Sequence, residues 1–187
     1  MSLYKNKYRV ESTRFDVWDY SNNGYYFVTI CTKEKTCYFG TCSDEDIQLN
    51  KFGEKTKEIW ADIPNQFEDT ELDEFVIMPN HVHGIIFISR DLINQISTKK
   101  PNIKNNPMLT ELSLGKIIRW FKAKTSYEIC HKLNHRNFSW QSRFYEHIIR
   151  NYKELRSIRE YIYNNPYKWA FDCDNPHCES SVNLKIK

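Results

Sequence analysis

Glu71-Leu72-Asp73-Glu74-Phe75-Val76-Ile77-Met78-Pro79-Asn80-His81-Val82-His83-Gly84-Ile85-Ile86-Phe87-Ile88 is the stretch on which the fold turns. Two runs rich in Val, Ile and Phe flank Pro79-Asn80, the signature of two neighbouring strands joined by a short turn. Residues two apart on a strand share a face. His81 and His83 therefore present two imidazoles side by side, while Val82 and Ile86 point the other way. Two neutral imidazoles held like this are half of a divalent-metal site. The plain alternative is two histidines that merely share a surface. Gly84 marks a spot where another backbone or a ligand comes close.

Outward from this pair, Tyr25–Thr32 reads as a strand, Lys33–Thr36 as a turn and Cys37–Gly40 as a short partner strand. Asn50 caps a helix reaching about Ala61, with Pro64 just beyond its end. From Asp91 to Glu111 the Asn, Lys, Ser and Pro content reads as a long mobile loop. A helix follows over Ser113–Leu133, its stripe formed by Leu114, Ile117, Ile118, Phe121 and Ile129. Lys116, Arg119, Lys122 and Lys124 lie largely outside that stripe, where they are either a solvated face or phosphate contacts. Phe138–Arg150 is an aromatic and basic segment, partly extended. Asn151, with Glu154 three residues on, starts a last helix that stops at Asn165-Pro166. This order of elements predicts an α+β sandwich, helices packed on a mostly antiparallel sheet.

The 187 residues suit one domain, with a core at about 25–170. No apolar run is long enough to span a membrane and no signal region opens the chain, so a soluble, cytoplasmic protein is expected. The six cysteines are then reduced thiols. Cys37-x4-Cys42 with Cys173-x4-Cys178, helped by His177, is an alternative zinc arrangement, but it lacks the usual CxxC spacing. The net charge of +3 is unevenly spread. Residues 1–98 hold 10 basic against 16 acidic groups, and residues 99–168 hold 15 against 5. A basic second half interleaved with rings, as in Arg119-Trp120-Phe121-Lys122, suits a single-stranded nucleic acid.

Near the end of the last helix, Tyr161 and Asn165 are four apart and share a face. Such a tyrosine is ordinarily a packing residue. It becomes a candidate nucleophile if its face meets the strand of His81 and His83.

Five segments in order resemble the REP-associated tyrosine transposases, within the HUH single-tyrosine transposases of insertion sequences. They are Tyr26–Thr32, Met78–Gly84, Leu114–Arg119 with Phe121-Lys122, Trp140–Arg150 and Tyr161-Ile162-x-x-Asn165-Pro166. The resemblance implies a ferredoxin-like fold and a catalytic Tyr161. It implies a Mg²⁺ or Mn²⁺ ion on His81 and His83, with Asn165 as third ligand and His147 as an alternative ligand or substrate contact. Lys116, Arg119, Lys122, Lys124, Arg143 and Arg150 are the expected DNA contacts. The implied reaction cuts and rejoins single-stranded DNA beside a hairpin through a 5′-phosphotyrosine. Related enzymes can take the tyrosine helix from a partner subunit, which leaves a homodimer open. A non-catalytic binding module for structured single-stranded DNA or RNA is the alternative, and a metal-dependent hydrolase the third reading.

Overall fold

The computed structural model describes residues 23–43, 46–89, 112–172 and 174–176. The expected mobile loop, and Cys173, His177 and Cys178 of the alternative zinc arrangement, lie outside them. The elements are β1 (Gly24–Cys31), β2 (Gly40–Ser43), β3 (Asp46–Leu49), α1 (Lys51–Ala61), α2 (Ile63–Gln66), β4 (Thr70–Ile77), β5 (His81–Ile88), α3 (Leu114–Tyr127), β6 (Tyr145–Ile149) and α4 (Tyr152–Tyr163).

Four strands form one antiparallel sheet in the order β4-β5-β1-β6. With α1 between β1 and β4 and α3 between β5 and β6, this is the β-α-β-β-α-β arrangement of a ferredoxin-like sandwich. The fold is α+β, as the element order predicted. Asn50 caps α1, its Oδ1 accepting from the N–H groups of Phe52 and Gly53. Ser113 and Asn151 cap α3 and α4 in the same way.

Alternation along each strand splits the core in two. Tyr26, Val28 and Ile30 of β1 and Val82, Ile86 and Ile88 of β5 face α1 and α3, packing with Trp60, Phe121 and Phe138. The intervening residues, Phe27, Ile85 and Ile149, face α4 and its Leu155 and Ile162. The sheet is therefore covered on both faces, and β5 is buried along nearly its whole length.

Three local expectations are corrected. Cys37–Phe39 is not strand: the short strand begins at Gly40 and pairs with β3 in a separate hairpin. The helix over 113–133 changes winding after Tyr127, closing in a π turn over Glu128–Lys132. Gly84 faces away from the imidazoles, and a Cβ there would stand 2.2 Å from Trp60 Cζ2. The close approach it permits is that of a core indole.

Candidate active site

The strand register sets the first half of the site. Ile77 pairs with Val82, and Met78 N–H donates to His81 O at 2.8 Å, closing the turn over Pro79-Asn80. Both imidazoles emerge on the α4 face, His81 fully buried and His83 nearly so. Their Nε2 atoms stand 3.0 Å apart.

Asn80 orients the first ring. Its amide nitrogen donates to the carbonyls of Lys35 (2.8 Å) and Asp174 (2.6 Å). Its Oδ1 is thereby turned toward His81 Nδ1 at 2.8 Å and must accept there. The proton sits on Nδ1, and the Nε2 lone pair faces His83. Opposite on β1, Thr29 Oγ1 meets His83 Nδ1 at 2.8 Å. Burial pushes the His81 pKa down to about 3, with the Lys35 charge adding to it. Burial, then the neighbouring His81, holds His83 well below the usual imidazole range. Both rings are neutral at pH 7, the state a metal ligand requires.

The second half comes from α4, the last α-helix among the described residues. Tyr161 Oη lies 3.3 Å from His83 Nε2, within the same protomer. The ring meets Phe27 edge-on, centroids 6.0 Å apart, and Phe27 stacks beside His83. Asn165, one turn on, is 2% exposed. Among the described residues its Oδ1 makes no hydrogen bond of good geometry, and the side chain stands close enough to His81 to favour that ring's protonated form. A buried amide oxygen without a partner is costly unless something occupies it.

These groups fit a divalent ion. Two ligand atoms each ~2.1 Å from a metal and at right angles to it lie ~3.0 Å apart, the separation of the two Nε2 atoms. Among the described residues no three His, Cys, Asp or Glu side chains form a metal cage. The donor set is two imidazoles with the Asn165 oxygen as the available third. His147 is not brought to it. That residue pairs opposite Phe27 on β6, and its Nε2 contacts Glu154 Oε1 at 2.7 Å.

His83 and Tyr161 open into a cleft of about 370 Å³ shared with Thr29, Gln141, Arg143 and Tyr145. Gln141 and Phe144 also line a second cleft of about 660 Å³, with Lys116, Arg119, Lys122 and Trp140. Of the expected DNA contacts, Lys116, Arg119, Lys122 and Arg143 thus flank these two clefts. Lys122 does more than present charge. Its Nζ donates to the carbonyls of Gln141 (2.7 Å) and Arg143 (2.9 Å), bracing the segment between the clefts, and burial pushes its pKa down to about 8. Lys124 pairs with Glu128 at 3.2 Å. Arg150, beyond β6, lines neither cleft, and its N–H donates to Glu154. Sequence reading missed Asn80, Thr29 and Phe27. The last two follow from strand register once β1 is placed against β5.

No family model matches the chain. An uncharacterized protein of Haemophilus influenzae is 41% identical over 170 residues, covering 86% of this chain and 90% of that protein. A second Haemophilus influenzae protein, assigned to the REP-associated tyrosine transposases, is 28% identical over 158 residues, covering 82% and 76%. Among solved structures, a REP-associated tyrosine transposase bound to a REP hairpin superposes with a TM-score of 0.55 at 21% identity, covering 86% of this chain and 74% of that one. Its likeness is one of fold. The sheet order is the ferredoxin-like one that the sequence resemblance implied, and the His-Val-His strand and the tyrosine-bearing α4 meet on one face of it. Of the two Haemophilus influenzae relatives, the one that carries a family name is a REP-associated tyrosine transposase, and the chain is similar to it.

Proposed function

We propose that this protein is a transposase that cuts and rejoins single-stranded DNA beside a hairpin, with Tyr161 as its nucleophile. The observation that carries the reading is the 3.3 Å approach of Tyr161 Oη to His83 Nε2. That approach sets the phenol oxygen beside the two imidazoles that would hold the ion, which packing against Phe27 alone does not require.

His81, His83 and the Asn165 oxygen would hold Mg²⁺ or Mn²⁺. When bound, the ion would polarise the scissile phosphate and offset its developing charge. Arg143, exposed and lining the smaller cleft, would hold a neighbouring phosphate. The Tyr161 oxygen attacks phosphorus, a P–O bond to tyrosine forms, and the bond to the 3′ oxygen breaks. That oxygen takes up a proton and leaves as a 3′-hydroxyl, with the phosphate now a 5′-phosphotyrosine. The reverse attack by a 3′-hydroxyl rejoins strands without loss of bond energy. Tyrosine ordinarily titrates near pH ~10, so its proton must be drawn off, and the ring's 43% exposure gives that proton a path to water.

A hairpin is the fitting target for two reasons. The related transposase was solved on a REP hairpin. The two clefts here are lined by cations and rings, which suits unstacked bases and their phosphates.

The test mixes the protein with a labelled hairpin oligonucleotide and Mn²⁺, and looks for covalent adduct on a denaturing gel. Wild type is expected to form it. Tyr161→Phe should lose it by at least ~10³-fold while still binding the oligonucleotide. Binding without adduct in the wild type would leave a binding module, and cleaved ends free of protein would leave a hydrolase.

A further inference from the structure

Arg159 stands two residues before Tyr161 on α4, so the two side chains leave opposite flanks of the helix, about 160° apart. On its flank, Arg159 Nε donates to Asp73 Oδ1 at 2.8 Å and Nη2 donates to Oδ2, a two-pronged pairing. Asp73 lies where the β4–β5 register slips by one residue between Leu72 and Phe75. It is thus placed by a bulge, which re-aims a side chain. Its carboxylate is 14% exposed, accepts the Glu74 N–H at 2.7 Å as well, and is held below the usual carboxylate range by Arg159.

The helix lies chiefly over β4, whereas Tyr161 reaches inward to Phe27 on β1 and His83 on β5. Among the described residues, the apolar side chains buried beneath the helix form a small cluster. A tyrosine oxygen extends to ~9 Å from a helix axis, so a roll of about 10° displaces it by ~1.5 Å. A misplacement of ~1 Å can cost ~10²-fold in rate.

We infer that Asp73 and Arg159 form a clasp that fixes the roll of α4 and so sets the Tyr161 oxygen over the imidazole pair. Both are positioning residues, and the inference rests on the tyrosine chemistry proposed above.

The test uses the full chain with Asp73→Arg, Arg159→Asp, the double exchange, and Arg159→Lys, which keeps the charge but loses the fork. Adduct rate is read at saturating hairpin oligonucleotide with Mn²⁺, beside DNA affinity, melting temperature and amide exchange over 152–163 without DNA. Each single exchange should slow adduct formation by about tenfold or more with affinity within about threefold, the double should recover most of the rate, and Arg159→Lys should fall between. Exchange protection of α4 should fall and return in the same order. Unchanged rate and protection in the singles, or a rate loss with native α4 protection and no recovery in the double, would overturn the clasp. If the wild type itself forms no adduct, the tyrosine chemistry fails, and α4 protection alone still decides the clasp.

Discussion

The two faces of the sheet are built to different ends. Toward α1 and α3, the described residues bury a broad apolar cluster around Trp60, Phe39 and Phe121. Toward α4, five apolar side chains are buried, beside His81, His83, Asn80 and Asn165. Apolar burial contributes ~25 cal/mol per Å², while each buried polar group must recover its lost hydration through hydrogen bonds. The first face therefore supplies most of the stability. The second gives up packing for a polar cluster in which Asn165 Oδ1 is buried without a hydrogen-bond partner among the described residues. This division places the proposed nucleophile on α4, which buries only Leu155 and Ile162 among its described residues and is held by directional contacts as well as by area.

That contrast can be broken by truncating each face in turn. Trp60→Ala should cost about 3–5 kcal/mol of stability, yet leave adduct formation per folded molecule near wild type. Leu155→Ala, beneath α4, should cost less, about 2 kcal/mol, yet slow adduct formation beyond what unfolding explains. Urea melts paired with adduct rates at 10 °C check both. Equal effects on rate would erase the distinction between the faces.

A smaller effect sharpens it. His81 titrates at about 3 in the fold against an ordinary imidazole value of ~6.5. Between those values the unfolded chain binds a proton that the folded chain refuses, so stability is full above ~6.5 and falls as pH drops toward 3. His83 adds in the same direction. Melting temperature followed from pH 7.5 to 4.5 should decline in the wild type and decline less in His81→Gln with His83→Gln. Parallel slopes would place the sensitivity elsewhere.

Much of this was legible in the chain because it rests on local chemistry. The two-residue period of His81-Val82-His83 fixes a shared face in any strand, and Asn50 and Asn151 announce helix starts by their capping oxygens. The unbroken apolar run after His83 also carried a signal for a sheet covered on both faces. The β2–β3 hairpin was not legible, because its strands are four residues long and Thr41, Cys42 and Gln48 show little alternation. Nor was the partner of His147: Glu154 lies seven residues on, across the turn from β6 into α4. Gly84 was correctly marked as a close approach, but its occupant depends on which helix lands there. Strand order and the descent of α4 onto the histidine face are long-range outcomes that spacing does not encode.

The central claim is that one chain holds both the phenol and the imidazoles of a working site. Mixing Tyr161→Phe protein with His81→Ala, His83→Ala protein on the labelled hairpin, with Mn²⁺ and a wild-type control, tests it most directly. The account predicts adduct from wild type and none from either variant or from their mixture. Adduct restored in the mixture would mean the tyrosine acts in a partner's site and would contradict it.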